Sequence, residues 1–173
     1  MRIRLAEPED AIDVARVHVR AWQVGYRNLL PPDYLAQLRP EERAQRYDFA
    51  NTDMQRPKTI VAEDDGAICG FATVAPARDV DMHGCGELCA LYVDPDRWGR
   101  GVGRALLLNA RTRLADQGYR RAILWLLAGN HRGERCYRAD GWIAEGETRM
   151  ETIWGIAVHE ILYVRSLQIE MAS

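Results

Sequence analysis

The chain has 173 residues, of which 47% are hydrophobic and 28% are charged, a composition typical of a soluble globular domain with its own core. Its formal net charge of −2 argues against the broad basic surface that nucleic-acid-binding domains usually carry. Because no apolar run approaches the length of a membrane span or a secretory signal, we expect one cytoplasmic domain over residues 1–173 that contacts neither membrane nor nucleic acid.

The first half of the chain predicts a strand, two helices and a pair of strands. Apolar residues alternate with polar ones in the first predicted strand and recur every three or four residues in the first predicted helix. The second predicted helix is rich in Glu, Arg and Ala, and the paired strands are apolar runs. The turn Asp64-Asp65-Gly66 between two apolar runs is typical of a hairpin. The predicted elements are a strand at Arg2–Glu7, helices at Ile12–Trp22 and Pro40–Ala50, and strands at Thr59–Glu63 and Ala67–Val74.

The second half predicts further strands alternating with two helices. Gly118 and Gly141 are well placed to end these helices. The predicted elements are a strand at Glu87–Val93, a helix from Val102, a strand at Arg121–Leu127, a helix at Asn130–Asp140 and a last hairpin at Ile153–Val164. The order β-α-α-β-β-β-α-β-α-β-β indicates one α+β domain without internal repeats.

A glycine-rich run, Arg97-Trp98-Gly99-Arg100-Gly101-Val102-Gly103-Arg104, joins a predicted strand to a predicted helix. Glycines at alternating positions let backbone amides approach a ligand closely, and the unpaired N–H groups of a helix start favour an anion. The run lacks the Lys-Ser or Lys-Thr of a Walker A loop, and it does not complete the spacing G-x-G-x-x-G. By itself it predicts either a pyrophosphate cradle or only a tight turn.

This run resembles the acetyl-CoA signature of the GNAT superfamily of N-acetyltransferases, [Q/R]-x-x-G-x-[G/A]. Gly101 and Gly103 occupy the two glycine positions, whereas Trp98 stands where Gln or Arg is commonest. In this family backbone amides make most phosphate contacts, so the departure removes one side-chain contact. Arg97 or Arg100 is expected to compensate for it.

A second segment, Asn130-x6-Tyr137-x3-Gly141-Trp142, resembles the family's Asn-x-x-Ala-x-x-Phe-Tyr-x-x-x-Gly-Phe. Gly133 and Cys136 replace the usual Ala and Phe. The resemblance, which the element order supports over most of the chain, implies the GNAT fold. That fold is α+β, with a mixed, mostly antiparallel central sheet flanked by helices and splayed where acetyl-CoA enters.

The resemblance also implies which residues contact acetyl-CoA. A bulge near Leu91 and Tyr92 is expected to aim a free amide at the thioester oxygen. Asn130 either caps its helix or contacts the pantetheine arm, and one residue can do both. The implied cofactor-binding residues are Leu91, Tyr92, Val93, Trp98, Gly99, Arg100, Gly101, Val102, Gly103, Arg104 and Asn130.

Acetyl transfer to an amine requires a proton acceptor and a proton donor. The resemblance makes Tyr137 the candidate general acid, since a phenol with a pKa near 10 can protonate a departing thiolate whose thiol has a pKa of about 8.5. Glu87, at the start of the strand leading to the thioester, is the candidate base. The alternatives are a half-buried packing tyrosine and a solvated glutamate, with a water chain taking the amine proton.

The acceptor, a small-molecule amine or a protein amine, is expected between the first two helices and the last hairpin. Trp22, Tyr26 and Arg27 are the candidate wall residues, with Trp154 and His159 from the C-terminal region. Aromatic residues at helical spacing are also typical of a core. The family further suggests a homodimer. Two other functions stay open: a non-catalytic domain that senses acyl-CoA, and a nucleotide- or nucleic-acid-binding module that uses the basic turn.

The sequence predicts no metal site and no covalent intermediate. In an extended strand Cys85 and Cys89 would lie roughly 13 Å apart, and with His83 they do not match a zinc-binding spacing. No His or Asp pattern around Cys136 indicates an activated nucleophile. We therefore expect direct transfer in a ternary complex.

Overall fold

A computed structural model describes residues 1–168, and within them seven strands form one sheet in the order β1-β2-β3-β4-β5-β7-β6. Neighbouring strands are antiparallel, except that β4 and β5 run parallel. The prediction of a mixed, mostly antiparallel sheet is therefore confirmed. The strands are β1 Arg2–Leu5, β2 Lys58–Asp64, β3 Ala67–Pro76, β4 Gly86–Val93, β5 Arg121–Leu127, β6 Ile143–Ile153 and β7 Ile156–Ser166.

Helices cover both faces of this sheet. The alternation of β2 shows how: Ile60 and Ala62 belong to the core under α4, whereas Val61 packs with Val14 of α1 on the other side. None of the helices in residues 1–168 has the length and apolar character needed to cross a membrane. The helices are α1 Ala11–Gly25, α2 Pro32–Gln37, α3 Pro40–Ala44, α4 Val102–Asp116 and α5 His131–Ala139.

The second predicted helix is shorter than expected, and it ends at Ala44 instead of Ala50. The rings of Tyr47 and Phe49 stack with their centroids 5.0 Å apart. Residues two positions apart in a helix point to different faces, so this stacking requires the chain to leave the helix. The helix α2 was not predicted at all, although its start at Pro32 is typical of a first helical turn.

The last hairpin is longer than the predicted range Ile153–Val164. It begins at Ile143, turns at Trp154-Gly155 and ends at Ser166. Both turn residues have positive φ, 52° and 81°, as a two-residue hairpin turn requires. The strand β6 is an edge strand rich in charged residues, and such strands lack the apolar alternation on which the prediction depended.

The sheet opens where β4 and β5 separate. These strands pair only at Gly86 with Ala122 and at Glu87 with Ile123. On the other side of β4 the register shifts, because Leu88 faces Val74 while Ala90 faces Thr73. The bulge therefore lies at Cys89, and not near Leu91 and Tyr92 as expected. This extra residue bends the strand at the point where the sheet opens.

Candidate active site

Two clefts meet along β4 at this opening. The glycine-turn cleft, of about 340 Å³, lies between β4, β5, the start of α4, α5 and the end of α1. The hairpin cleft, of about 640 Å³, lies between β4, α1, residues 43–57 and the β6–β7 hairpin. Leu88, Cys89, Ala90 and Trp125 line both clefts. Two ligands in the two clefts would thus approach each other across the bulge.

The glycine-turn cleft contains ten of the eleven predicted cofactor-binding residues, and only Arg100 is outside its lining. Gly99 and Gly101 have φ values of 74° and 82°, a conformation that costs other residues roughly 1–2 kcal/mol. Gly101 precedes the first residue of α4, and the first intrahelical bond runs from the Ala105 amide to the Gly101 carbonyl, 3.0 Å. The earlier amides of this helix are left to bind an anion.

The arginine that packs against Trp98 is Arg132, and not Arg97 or Arg100. The Trp98 indole donates to the Val93 carbonyl over 2.9 Å, and the Arg132 guanidinium carbon lies 3.5 Å from the centre of the indole ring. Arg97 instead pairs with Asp64 at 2.7 Å. Sequence reasoning missed Arg132, whose one local signal is its place in the first turn of α5.

Asn130 caps α5 and also lines the glycine-turn cleft. Its Oδ1 accepts a hydrogen bond of 2.9 Å from the Gly133 amide, while its Nδ2 has no such role in the cap. A Cβ on Gly133 would lie 2.7 Å from Asn130 Nδ2 and 2.9 Å from Leu126 Cδ1. This crowding explains why glycine replaces the usual alanine of the motif.

Three phenols gather in the glycine-turn cleft. Tyr137 is buried, and burial followed by the proximity of Tyr92 and Cys136 raises the pKa of its phenol. Tyr26, which was predicted at the acceptor wall, lines this cleft instead. Burial and then the nearby Tyr92 raise the pKa of Tyr26 well above its ordinary value, and Tyr137 adds to the effect. Both phenols therefore stay protonated around neutral pH.

The hairpin cleft contains Glu87. Only 4% of this residue is exposed, and burial raises the pKa of its carboxyl although Arg78 opposes the shift. Trp154, a candidate residue of the acceptor wall, lines the same cleft. The prediction was wrong for Trp22, which is 3% exposed and packs in the core beside Tyr26 and Leu30. Exposed Arg27 and His159 line neither cleft. Arg27 lies in the turn after α1, and His159 faces outward because successive residues of β7 point to opposite faces of the sheet.

His18 is a site residue that sequence reasoning did not identify. It is buried at the hairpin cleft with its Nδ1 2.9 Å from the Tyr47 hydroxyl and its ring stacked on Tyr92 at 4.6 Å. Burial, and then the charge of Arg43, lowers its pKa well below the ordinary value. Its place four residues before Trp22 on the buried stripe of α1 was the available signal.

Neither cleft offers a cluster of metal ligands. Among residues 1–168, no group of three or more His, Cys, Asp or Glu side chains is arranged to hold a metal ion. The four cysteines are free.

Known proteins resemble this chain in sequence. The model of the acetyltransferase (GNAT) family matches residues 24–142. The chain is 33% identical to the uncharacterized N-acetyltransferase YuaI of Bacillus subtilis over 129 residues, which are 74% of this chain and 72% of that protein.

Solved structures show the same fold. PaiA N-acetyltransferase from Thermoplasma acidophilum, in complex with coenzyme A, matches with a TM-score of 0.71 and 18% identity over 96% of this chain and 99% of that chain. The acetyltransferase YncA from Salmonella typhimurium, with its cofactor acetyl-CoA, matches with a TM-score of 0.66 and 18% identity over 100% of this chain and 97% of that chain. The predicted fold is confirmed by these matches.

Proposed function

This chain belongs to the acetyltransferase (GNAT) family, and from that premise we propose that it transfers the acetyl group of acetyl-CoA directly to a primary amine. The observation that carries the proposal is the meeting of two clefts at the bulged residue Cys89. Acetyl-CoA occupies the glycine-turn cleft and the amine occupies the hairpin cleft. Both substrates are then present together, so no covalent enzyme intermediate is needed.

The glycine-turn cleft suits the phosphates of acetyl-CoA. Amides at the start of α4 and the side chains of Arg104 and Arg132 supply N–H donors and positive charge. The thiol end of the molecule extends along β4 towards Cys89, where the bulge frees backbone amides to polarise the thioester carbonyl. The structures of two relatives that hold coenzyme A or acetyl-CoA support this choice of co-substrate.

The proton transfers are assigned to the two clefts. The amine nitrogen attacks the thioester carbonyl, Glu87 accepts the amine proton in the hairpin cleft, and the carbon–sulfur bond breaks. Tyr137 then gives its proton to the departing thiolate in the glycine-turn cleft. A raised pKa suits each group, because it keeps Tyr137 protonated and makes Glu87 a stronger base than an exposed glutamate.

A screen of thiol release tests this function. Incubation with acetyl-CoA and a panel of amines should release coenzyme A only when an acceptor is present. Initial rates measured at several concentrations of both substrates should give intersecting double-reciprocal lines, as a ternary complex requires. Parallel lines would indicate an acetyl-enzyme intermediate. Tight binding of acetyl-CoA without thiol release for any amine would instead indicate a sensor domain and contradict the proposal.

Arg132 provides a test of the cofactor side. Arg132→Gln should raise the KM for acetyl-CoA by about tenfold, the order expected for the loss of one charged hydrogen-bonding partner, while kcat changes little. Arg100→Gln is the matched control, because Arg100 does not line the cleft. Equal effects of the two substitutions would show that only the general positive charge of the turn matters.

Three further proposals concern the domain organisation, the cellular compartment and the oligomeric state. We propose that residues 1–173 act as one domain, that the protein works in the cytoplasm, and that it forms a homodimer. Gel filtration combined with light scattering tests the last of these.

A further inference from the structure

Most charged side chains that line the hairpin cleft form ion pairs with other residues of its wall. Arg149 bonds to Glu160 over 2.8 Å and lies 3.4 Å from Asp79, while Arg56 pairs with Asp48 at 3.3 Å. Arg149 also lies 3.9 Å from Glu151, so every carboxylate of the lining except Glu87 is paired with an arginine of the wall.

Other charges of the lining have no such partner. Within residues 1–168, no carboxylate lies within 4.0 Å of the guanidinium groups of Arg43, Arg46 or Arg78, and Glu87 likewise lacks an ion pair. The free charges of the cleft are thus three cationic side chains and one buried carboxyl. A primary amine accounts for the carboxyl, on which the charge of Arg78 already acts, but it leaves Arg43 and Arg46 without a counterpart.

Arg43 differs from the other two because it is fixed in place. Its guanidinium carbon lies 5.0 Å from the ring centre of Trp154 and 5.3 Å from that of Tyr47. Arg43 is half-buried, whereas Arg46 and Arg78 are exposed. Its Nε is buried and has no hydrogen-bond partner within residues 1–168. Because Nε has almost no accessible surface, a ligand in the cleft would bind Arg43 through the other guanidinium nitrogens, which carry the same charge.

We propose that the acceptor is a small amine that also carries a carboxylate, with the amine at Glu87 and the carboxylate at Arg43. This inference rests on the proposed acetyl transfer and names its substrate class. A planar guanidinium held against aromatic rings binds a carboxylate through two parallel hydrogen bonds. A cleft of about 640 Å³ suits a small molecule, and the stacked rings of Tyr47 and Phe49 offer apolar contact to its carbon skeleton.

The test uses pairs of amines that differ only in the carboxylate. Suitable pairs are β-alanine with ethylamine, ε-aminocaproate with pentylamine, and L-phenylalanine with phenethylamine. In at least one pair the carboxylate compound should have a kcat/KM higher by about tenfold to a hundredfold, the range expected for a charged hydrogen-bonded pair. The chain length of the best pair then reports the distance between the two contacts. Aminopropylphosphonate beside γ-aminobutyrate distinguishes a phosphate-type anion from a carboxylate.

Substitution of Arg43 locates the effect. Arg43→Gln should remove the preference for the carboxylate compound by raising its KM, and should leave the kinetics of the partner amine nearly unchanged. Arg43→Lys should restore part of the preference, because it keeps the charge but loses the planar fork. Arg16→Gln is the control, since Arg16 is an exposed residue of α1 paired with Asp13 outside the hairpin cleft. An arginine that only supports the aromatic wall would affect both members of a pair alike.

Three outcomes overturn the inference. They are equal or better turnover of the amine without a carboxylate in every pair, no turnover of any of these compounds while other amines are acetylated, and a preference for the phosphonate. Failure of acetyl transfer itself looks different, because acetyl-CoA would then bind without thiol release for amines of any class.

Discussion

At the scale of single residues, the identity of the general acid depends on three neighbouring phenols. Tyr137 occupies the motif position that resembles the family's tyrosine, but Tyr26 lines the same cleft and both are buried. Burial raises the pKa of Tyr26, and the proximity of Tyr92 and Tyr137 adds to this effect. Geometry therefore offers two candidate donors, whereas the sequence motif indicates only Tyr137.

Tyr137→Phe should lower kcat by about a hundredfold to ten-thousandfold, the usual range for loss of a general acid. The KM for acetyl-CoA should change little, because the ring that packs edge-on against Trp142 remains. Tyr26→Phe is the matched variant and should keep most of kcat. If steady-state kinetics show the reverse pattern, Tyr26 is the donor and the motif-based assignment is wrong.

Glu87 should determine the acidic limb of the pH–rate profile. A base must be ionised to act, so kcat at saturating amine should fall as the pH decreases through the raised pKa of Glu87. Glu87→Gln should remove this acidic limb and lower kcat by about a hundredfold or more. Glu147→Gln, an exposed change in β6, should preserve both. An acidic limb that persists in Glu87→Gln would assign the proton to water or to another group.

The candidate cofactor-binding residues that the structure brings into one cleft are largely set by local backbone chemistry. The glycine run and Asn130 act through turns and helix starts, which depend on neighbouring residues alone. Trp22 was misplaced because the direction of a side chain on α1 depends on how the helix packs, and Arg27 because it lies in the turn after α1. Arg43, Arg132 and His18 were missed for a related reason, since each acquires its role from a partner distant in sequence.

At the scale of elements, the position of α4 is set by two glycines in the sheet beneath it. A Cβ on Gly70 would lie 3.0 Å from both Val102 and Leu106 at the start of the helix. A Cβ on Gly86 would lie 2.6 Å from Leu114 near its end. The close approach at Gly70 places the first turn of α4, where Val102 lines the glycine-turn cleft.

Gly70→Ala should push the start of α4 away from β3 and weaken the binding of coenzyme A several-fold. Both substitutions should destabilise the fold by about 1–3 kcal/mol through overpacking. Gly86→Ala, however, should leave the affinity for coenzyme A nearly unchanged. Calorimetric titration with coenzyme A and urea unfolding measure the two effects separately. Equal loss of affinity in both variants would show that overall stability, and not the placement of the first turn, controls binding.

The elements themselves were predictable where their pattern was local and periodic. The stripe of α4 and the two apolar runs around the turn between β2 and β3 gave nearly correct bounds. The helix α3 and the strand β6 were misjudged, because the stacking of Tyr47 on Phe49 and the edge position of β6 are tertiary facts.

At the scale of the whole molecule, the site exists because β4 and β5 pair at only two positions and then diverge. No local pattern encodes this divergence, and the resemblance to a family was what indicated it. The opening is bordered by an aromatic cluster in which His18 contacts Tyr92, Trp22, Phe71 and Trp154. The cluster joins α1 to the sheet and to the hairpin, so the state of His18 affects the stability of the fold.

The unfolding free energy should therefore depend on pH through His18. Its pKa is well below the ordinary value in the folded chain but near 6.5 when unfolded, so the unfolded chain binds the extra proton first. His18 therefore does not change the unfolding free energy above about pH 6.5, and it lowers that free energy by up to about 1.4 kcal/mol for each pH unit below this value. The other histidines, His83, His131 and His159, are exposed.

His18→Phe keeps an aromatic ring and removes the titrating group, so its stability should decline less than that of the parent protein between about pH 6.5 and pH 5. The difference between the two urea-unfolding series separates the effect of His18 from that of Glu87. The raised pKa of Glu87 has the opposite effect on stability, because the folded chain binds the Glu87 proton more tightly than the unfolded chain does. Parallel series would mean that His18 is protonated in the folded state. In that case the aromatic cluster would carry a positive charge beside Arg43, which is unfavourable in a buried site.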